Sequence, residues 1–195
     1  MRNSVNLLSL SLPSPNHKEI LRYSGGGDEK TVALIEGCLK ECENLLSPSL
    51  CWRTFEVNIK DNLCDFGEFS VKSDDLSKNL KDCKRAVVFC ATIGAEFDRL
   101  LIKYSRLSPT KALIFQGIGA ERIEALCDAF CENLKAEGNC IRPRFSAGYG
   151  DLPLDANKDI FLALCPEEAV GVVLSEGMLM TPTKSVTAFI GLLGE

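Results

Sequence analysis

The residues best suited to recognise a small molecule lie in segment 142–154, with the sequence Arg-Pro-Arg-Phe-Ser-Ala-Gly-Tyr-Gly-Asp-Leu-Pro-Leu. Arg144 can hold a carboxylate through two parallel hydrogen bonds, and Tyr149 offers a flat face with a polar tip. Proline and glycine interrupt the segment, which predicts an extended stretch with free backbone groups. Gly148 and Gly150 would let a ligand approach that backbone closely. This chemistry favours a small zwitterion or a nucleotide-like ligand; the alternative is a surface loop tied by arginine ion pairs.

The ten cysteines and the single histidine are the residues that could bind a metal or act as nucleophile and base. No C-x-x-C pair is present and no iron–sulfur ligand spacing is matched, so we predict that the thiols pack as small core hydrophobes. Cys38/Cys42 and Cys127/Cys131 are four residues apart and would share helix faces. His17 lies in a polar stretch, and there is no G-x-S-x-G elbow. The sequence therefore argues against a zinc hydrolase and a Ser-His-Asp triad.

The composition is that of an ordinary globular domain: 195 residues, 46% hydrophobic and 25% charged. The net charge is −5 and there is no basic stripe, which argues against a nucleic-acid partner. No apolar run approaches the roughly 20 residues that cross a bilayer. The apolar run near the N-terminus is too short for a secretory signal. We therefore expect a cytoplasmic protein with reduced thiols and no membrane partner.

Hydrophobic periodicity predicts the elements that position these residues. Residues 1–16 read as an arm and 17–195 as one domain. Helices are predicted over 17–23, from an N-cap at Asp28 to Leu46, over 74–82, after Gly94, over 110–137 and over 155–164. Strands are predicted over 52–59, 63–71, 86–93, 170–175 and 185–192, with a hairpin turn at Asp61-Asn62. This mixture without strict βαβ alternation favours an α+β fold.

A Gly-x-Gly pair at Gly117 and Gly119 falls within the long helix. The third glycine of a dinucleotide-binding motif is replaced by Arg122. We predict that these glycines allow a close contact between the helix and another backbone.

Residues Arg144 to Tyr149 resemble the Arg-x-x-x-Gly-Tyr signature of the activation domain of vitamin B12-dependent methionine synthase. The similarity continues through 150–154, through Gly-Val-Val-Leu-Ser-Glu at 171–176 and through Met-Thr-Pro-Thr-Lys-Ser-Val-Thr at 180–187. Residues 86–135 resemble the family more weakly. The first 80 residues resemble only those members of the family that are free-standing proteins, in the layout of their elements and not in a motif. The resemblance implies a C-shaped single α+β domain with a twisted antiparallel sheet and flanking helices.

The resemblance also implies S-adenosylmethionine (AdoMet) as the ligand of this segment. Arg144 would face the methionine carboxylate, Ser146 would contribute backbone contacts, and Tyr149 would sit towards the cobalamin. Gly148 is a further expected binding residue of this segment. Asp128 matches an acidic position on the long helix. The implied function is reactivation of cobalamin-dependent methionine synthase (homocysteine methyltransferase), in methionine biosynthesis: a flavodoxin- or ferredoxin-type donor reduces cob(II)alamin, and AdoMet then methylates it. The cobalamin would be supplied by a corrinoid-binding methionine synthase or a related corrinoid methyltransferase.

Such a transfer needs alignment rather than a general base, so no catalytic residue and no protein metal ligand are expected. Two family features have no counterpart: an acidic residue near the domain start, and aromatic contacts beyond the last strands, since the sequence ends at Glu195. Two other hypotheses follow. The chain could be an accessory or sensor protein that docks on a corrinoid methyltransferase without supplying AdoMet, which the missing acidic residue favours. It could also be a cysteine-based redox or metal protein.

Overall fold

The computed structural model describes residues 4–27 and 29–194. Within these residues the elements follow in the order β1 (Asn6–Leu8), α1 (His17–Tyr23), α2 (Glu29–Cys42), a 3₁₀ turn (Glu43–Leu45), β2 (Ser49–Glu56), β3 (Asn58–Lys60), β4 (Leu63–Asp65), β5 (Ser70–Lys72), α3 (Asp74–Asn79), β6 (Arg85–Thr92), α4 (Ala95–Leu107), α5 (Pro109–Ala136), β7 (Cys140–Ile141), α6 (Ala156–Leu164), α7 (Pro166–Val170), β8 (Val173–Leu174), β9 (Met180–Thr181) and β10 (Ser185–Leu193).

A five-stranded antiparallel sheet with the strand order β1-β2-β6-β10-β7 lies at the centre. Side chains alternate between its two faces: Val87, Phe89 and Ala91 of β6 join one core, while Val88 and Cys90 join the other. Helices α1, α2, α4 and α5 cover the first face, and α3, α6 and the small sheet β3-β4-β5 contribute to the second core. Because both faces are covered, β6 is apolar almost throughout.

The predicted α+β class is confirmed, with antiparallel sheets and flanking helices. Helix α1 has the predicted bounds, and α5, β6 and β10 lie within one or two residues of theirs. The proposed cap Asp28 lies outside the described residues. The hairpin turn at Asp61 and Asn62 joins β3 to β4, and both residues have positive φ, as a two-residue hairpin turn requires.

Three predicted strands differ from the structure. Residues 52–59 are divided between the central sheet and the small sheet, because the Val57 N–H bonds to the Lys84 carbonyl where the chain changes sheets. Residues 63–71 are broken by a turn in which the Phe66 N–H donates to the Phe69 carbonyl. Residue 170 ends helix α7, which begins at a proline suited to a first turn, so only Val173–Leu174 of the predicted strand 170–175 is a strand.

The N-terminal segment crosses the first face and is held by α5. Strand β1 pairs with β2. Further along, the Arg122 Nη1 donates to the Pro13 carbonyl at 2.6 Å, and the Asn16 N–H donates to Glu121 Oε1 at 3.0 Å. Helix α1 then packs on Gly117, where an added Cβ would come within 3.0 Å of the Ile20 carbonyl oxygen. Gly117 thus has the close-contact role predicted from its position, whereas an added Cβ at Gly119 would meet the side chains of Phe97 and Lys184 and not another backbone.

Candidate functional site

Segment 140–145 forms the edge of the central sheet beside β10. Cys140 and Ile141 pair with Leu193 and Leu192, and Phe145 exchanges two backbone hydrogen bonds with Phe189, at 2.8 and 2.9 Å. Neighbouring side chains of an extended segment point to opposite faces. Phe145 enters the second core, and Arg144 therefore turns to the other face, towards α5.

Helix α5 presents a row of carboxylates to Arg144. Glu124, Asp128 and Glu132 are four residues apart and lie on one face of the helix. Arg144 Nη2 donates to Asp128 Oδ1 at 2.7 Å and to Glu124 Oε2 at 3.1 Å. Burial acts against the charged form of Arg144, but Cys127 and the two carboxylates outweigh it, and the pKa of Arg144 is raised. The guanidinium is therefore a permanent cation with two anionic partners.

An open groove of about 690 Å³ lies between α5 and the edge segment. Four of the five predicted site residues line it: Asp128, Arg144, Ser146 and Tyr149. Arg144 is mostly covered and Asp128 is exposed. The groove therefore offers a cation, carboxylates and an aromatic side chain to one ligand, which is the set expected for a zwitterion.

The turn that follows Phe145 corrects one prediction. The segment is not extended as far as Leu154, because the Tyr149 N–H donates to the Ser146 carbonyl and the Gly148 N–H donates to the Leu152 carbonyl. Gly148 has a φ of +84°, which favours glycine. These backbone groups are used within the turn, so the groove presents mainly side chains. Gly148 does not line the groove; it shapes the turn that carries Tyr149.

Tyr149 is 70% exposed at the end of the groove. Its ring packs edge-on against Phe145, with the ring centroids 5.7 Å apart. Asp151 fixes the far side of the turn by accepting the Asp74 N–H at 2.7 Å and the Asp75 N–H at 3.1 Å at the start of α3. The tyrosine thus stands on a turn anchored at both ends.

Arg142 and Arg144 lie two residues apart in the sequence, but they have different hydrogen-bond partners in the structure. Arg142 also lines the groove, but its Nη2 donates to the Lys81 carbonyl at 3.0 Å and lies 3.9 Å from the Asp82 carboxylate. Glu124 was not predicted as a site residue, although it contacts Arg144 and lines the groove. Its position four residues before Asp128 on a helix was the signal available in the sequence.

The ten cysteines are free, and seven of them are buried, as predicted for core residues. Burial raises the pKa of Cys42, Cys51 and Cys64 to about 11 and that of Cys127 to about 12. Cys140 and Cys165 are exposed, which departs from that prediction. Among residues 4–27 and 29–194, no three His, Cys, Asp or Glu side chains come together as metal ligands would.

None of the helices in the part of the chain that the structure describes is both long and apolar enough to span a bilayer.

No protein-family model matches the chain, and no curated protein sequence matches it. Among solved structures, the chain is similar to the crystal structure of the MetH reactivation domain bound to AdoHcy. The TM-score is 0.63 at 16% sequence identity, and the match covers 97% of this chain and 78% of that chain.

Fold and groove together define an α+β protein with an open groove at the edge of its antiparallel sheet. That fold is the one of the MetH reactivation domain, in agreement with the resemblance at Arg144–Tyr149.

Proposed function

We propose that this protein is a reactivation module for cobalamin-dependent methionine synthase, with residues 17–195 as its domain and the N-terminal arm adding strand β1 to its central sheet. It binds AdoMet in the groove between α5 and segment 141–149, for the reductive methylation of cob(II)alamin on a partner corrinoid protein. The partner is a corrinoid-binding methionine synthase or a related methyltransferase, and a flavodoxin- or ferredoxin-type protein supplies the electron.

The observation that carries the proposal is the convergence of Arg144, Asp128, Ser146 and Tyr149 on one groove in a fold shared with a solved domain that is bound to AdoHcy. AdoHcy is AdoMet without its transferable methyl group, so both share the amino-acid end that such a groove suits.

The residues fit the amino-acid end of AdoMet. The carboxylate would take the guanidinium of Arg144, and the ammonium would take the carboxylate of Asp128, which that guanidinium now occupies at 2.7 Å. Ligand binding thus exchanges one ion pair for two. Tyr149 is exposed, so it can contact both the ligand and a docked corrinoid.

The role of the protein in this reaction is binding and orientation. A sulfonium is a good leaving group and the reduced corrinoid is a strong nucleophile, so the transfer needs alignment. The partner's cobalamin supplies the metal chemistry, and the protein holds the methyl donor on the face that the partner covers.

One observation favours a second candidate, an accessory or sensor protein that docks on the partner without supplying AdoMet. Arg144 already has two carboxylate partners, and a ligand carboxylate must compete with them for the guanidinium.

Calorimetric titration with AdoMet separates the two candidates. The native chain should bind, and Arg144→Ala should lose at least about tenfold in affinity, because a hydrogen bond to a charged group contributes about 1.5–3 kcal/mol. Arg99→Ala, which removes an exposed arginine paired with Glu96 on α4, should bind like the native chain. Absence of AdoMet binding by the native chain contradicts the proposal, and corrinoid docking without it would support the accessory role.

A further inference from the structure

We infer that Glu124 acts with Asp128 as a charge-selecting pair, which makes the groove prefer a ligand bearing a sulfonium over its uncharged thioether. This inference rests on the proposed function and adds to it a residue and a basis for selectivity. It assigns to Glu124 a role in discriminating between two ligands.

The charges around Arg144 are unbalanced, unlike those elsewhere in the groove. Lys135 is paired with Glu132 at 2.8 Å, and Arg142 lies 3.9 Å from Asp82. Each of these is one cation with one anion. Arg144 alone among these three cations faces two carboxylates, so the triad of Arg144, Glu124 and Asp128 carries one net negative charge.

A ligand changes this balance according to its own charge. The amino-acid end of AdoMet adds a carboxylate and an ammonium, which cancel, and the sulfonium adds one positive charge that neutralises the triad. AdoHcy has the same amino-acid end but a neutral thioether, so the triad keeps its uncompensated negative charge. The second carboxylate therefore contributes to binding the methyl donor and not its demethylated product.

Other acidic side chains near the groove are already engaged. Glu121 is buried against Arg122 and also accepts the Asn16 N–H, while Glu132 is held by Lys135. Glu124 has a half-exposed side chain, and its described hydrogen bond is to Arg144. Helix α5 thus supplies both of the acidic groups that face Arg144.

The expected preference follows from Coulomb attraction at a partly exposed site. At an effective dielectric constant of about 40 to 80, one unit charge about 6 Å away changes affinity by roughly threefold to tenfold. Screening by salt should shrink the preference, since the Debye length falls to about 3 Å at 1 M.

The test compares AdoMet with AdoHcy by calorimetry on the native chain and on Glu124→Gln. Gln keeps the size of the side chain and removes its charge. We expect the native chain to prefer AdoMet by about threefold to tenfold, and Glu124→Gln to bring the two affinities within about twofold, with AdoHcy binding unchanged or tighter because Arg144 is freed. In 1 M NaCl the native preference should fall towards that of the variant.

The matched control is Glu96→Gln. Like Glu124, Glu96 lies on a helix and pairs with an arginine, here Arg99. Its side chain is 50% exposed, against 47% for Glu124. It should leave the preference unchanged. If Glu124→Gln does not fold, as judged by circular dichroism, Asp128→Asn tests the same pair, and it should also reduce the preference.

The outcomes separate the two proposals. Equal native affinity for both ligands, or a preference that survives both Glu124→Gln and Asp128→Asn, overturns the charge-selecting role and leaves AdoMet binding intact. Failure of the native chain to bind either ligand overturns the proposed function, and the selecting role with it.

Discussion

The buried ion pair between Glu121 and Arg122 holds the N-terminal segment against α5, and its removal is expected to destabilise the protein strongly. Glu121 is 5% exposed and Arg122 is 3% exposed. Each partner also binds the N-terminal segment: Arg122 Nη1 donates to the Pro13 carbonyl at 2.6 Å, and Glu121 Oε1 accepts the Asn16 N–H at 3.0 Å. The pair therefore joins the start of the chain to the helix of the candidate site.

Replacing Arg122 by methionine keeps most of the volume but leaves the carboxylate of Glu121 buried without its cation. Breaking a buried pair from one side costs about 3–5 kcal/mol. Loss of the hydrogen bond to the Pro13 carbonyl adds about 1 kcal/mol. Glu121→Leu should cost a similar amount, because it orphans the guanidinium and the Asn16 N–H. Each change is a large fraction of the roughly 5–15 kcal/mol that stabilises a domain.

The double variant Glu121→Leu/Arg122→Met leaves no buried charge, so it should cost only about 2–4 kcal/mol, chiefly from the two orphaned backbone groups. The coupling free energy from the cycle should then be at least about 2 kcal/mol. Urea unfolding at pH 7 with linear extrapolation measures all four free energies of unfolding. Arg99→Met, which removes an exposed partner of Glu96, should change stability by no more than about 0.5 kcal/mol.

Either of two results would refute this reasoning: single variants that each cost less than about 1 kcal/mol, or a double variant whose cost equals the sum of the singles. The first would mean that the pair is not desolvated, and the second that its members act independently.

Two further predictions concern other groups. The Ser73 hydroxyl, together with the Asp74 and Asp75 N–H groups, lowers the pKa of Asp151. A lowered pKa in the folded state stabilises the protein at pH values above the ordinary pKa of a carboxyl group. That stabilisation is lost as the pH falls towards the pKa of the folded state. Asp151→Asn should therefore be less stable than the native chain at pH 7 by a margin that shrinks towards pH 2 in urea unfolding, and a margin independent of pH would contradict this. For the thiols, Ellman's reagent should modify the exposed Cys140 and Cys165 first and reach all ten only after unfolding. Rapid modification of five or more thiols in the native protein would contradict the burial of the remaining cysteines.

The elements with strong hydrophobic periodicity were the ones that the sequence predicted well. Helix α5 has a long apolar stripe and a proline at its start, and β6 is apolar because both of its faces are covered. The strand predicted over 52–59 was wrong at its end because a long-range hydrogen bond, from Val57 to Lys84, moves the chain to another sheet. Such a bond leaves no mark in local sequence.

The candidate site was also predictable only in part. Arg144 and Tyr149 could be singled out from residue type within a short segment, and the structure places them on one groove. The turn after Phe145 was missed, since its hydrogen bonds depend on a glycine conformation that the sequence permits without requiring. Glu124 was missed because its partner Arg144 lies 20 residues away and reaches it only from the sheet edge.

A crystal structure of the protein grown with AdoMet tests the central claim most directly. We predict the ligand in the groove between α5 and segment 141–149, with its carboxylate on the guanidinium of Arg144 and its ammonium on Asp128, so that the present 2.7 Å contact between those two side chains is broken or shared. Ligand bound elsewhere on the protein, with the contacts of Arg144 to Asp128 and Glu124 unchanged, would contradict the account.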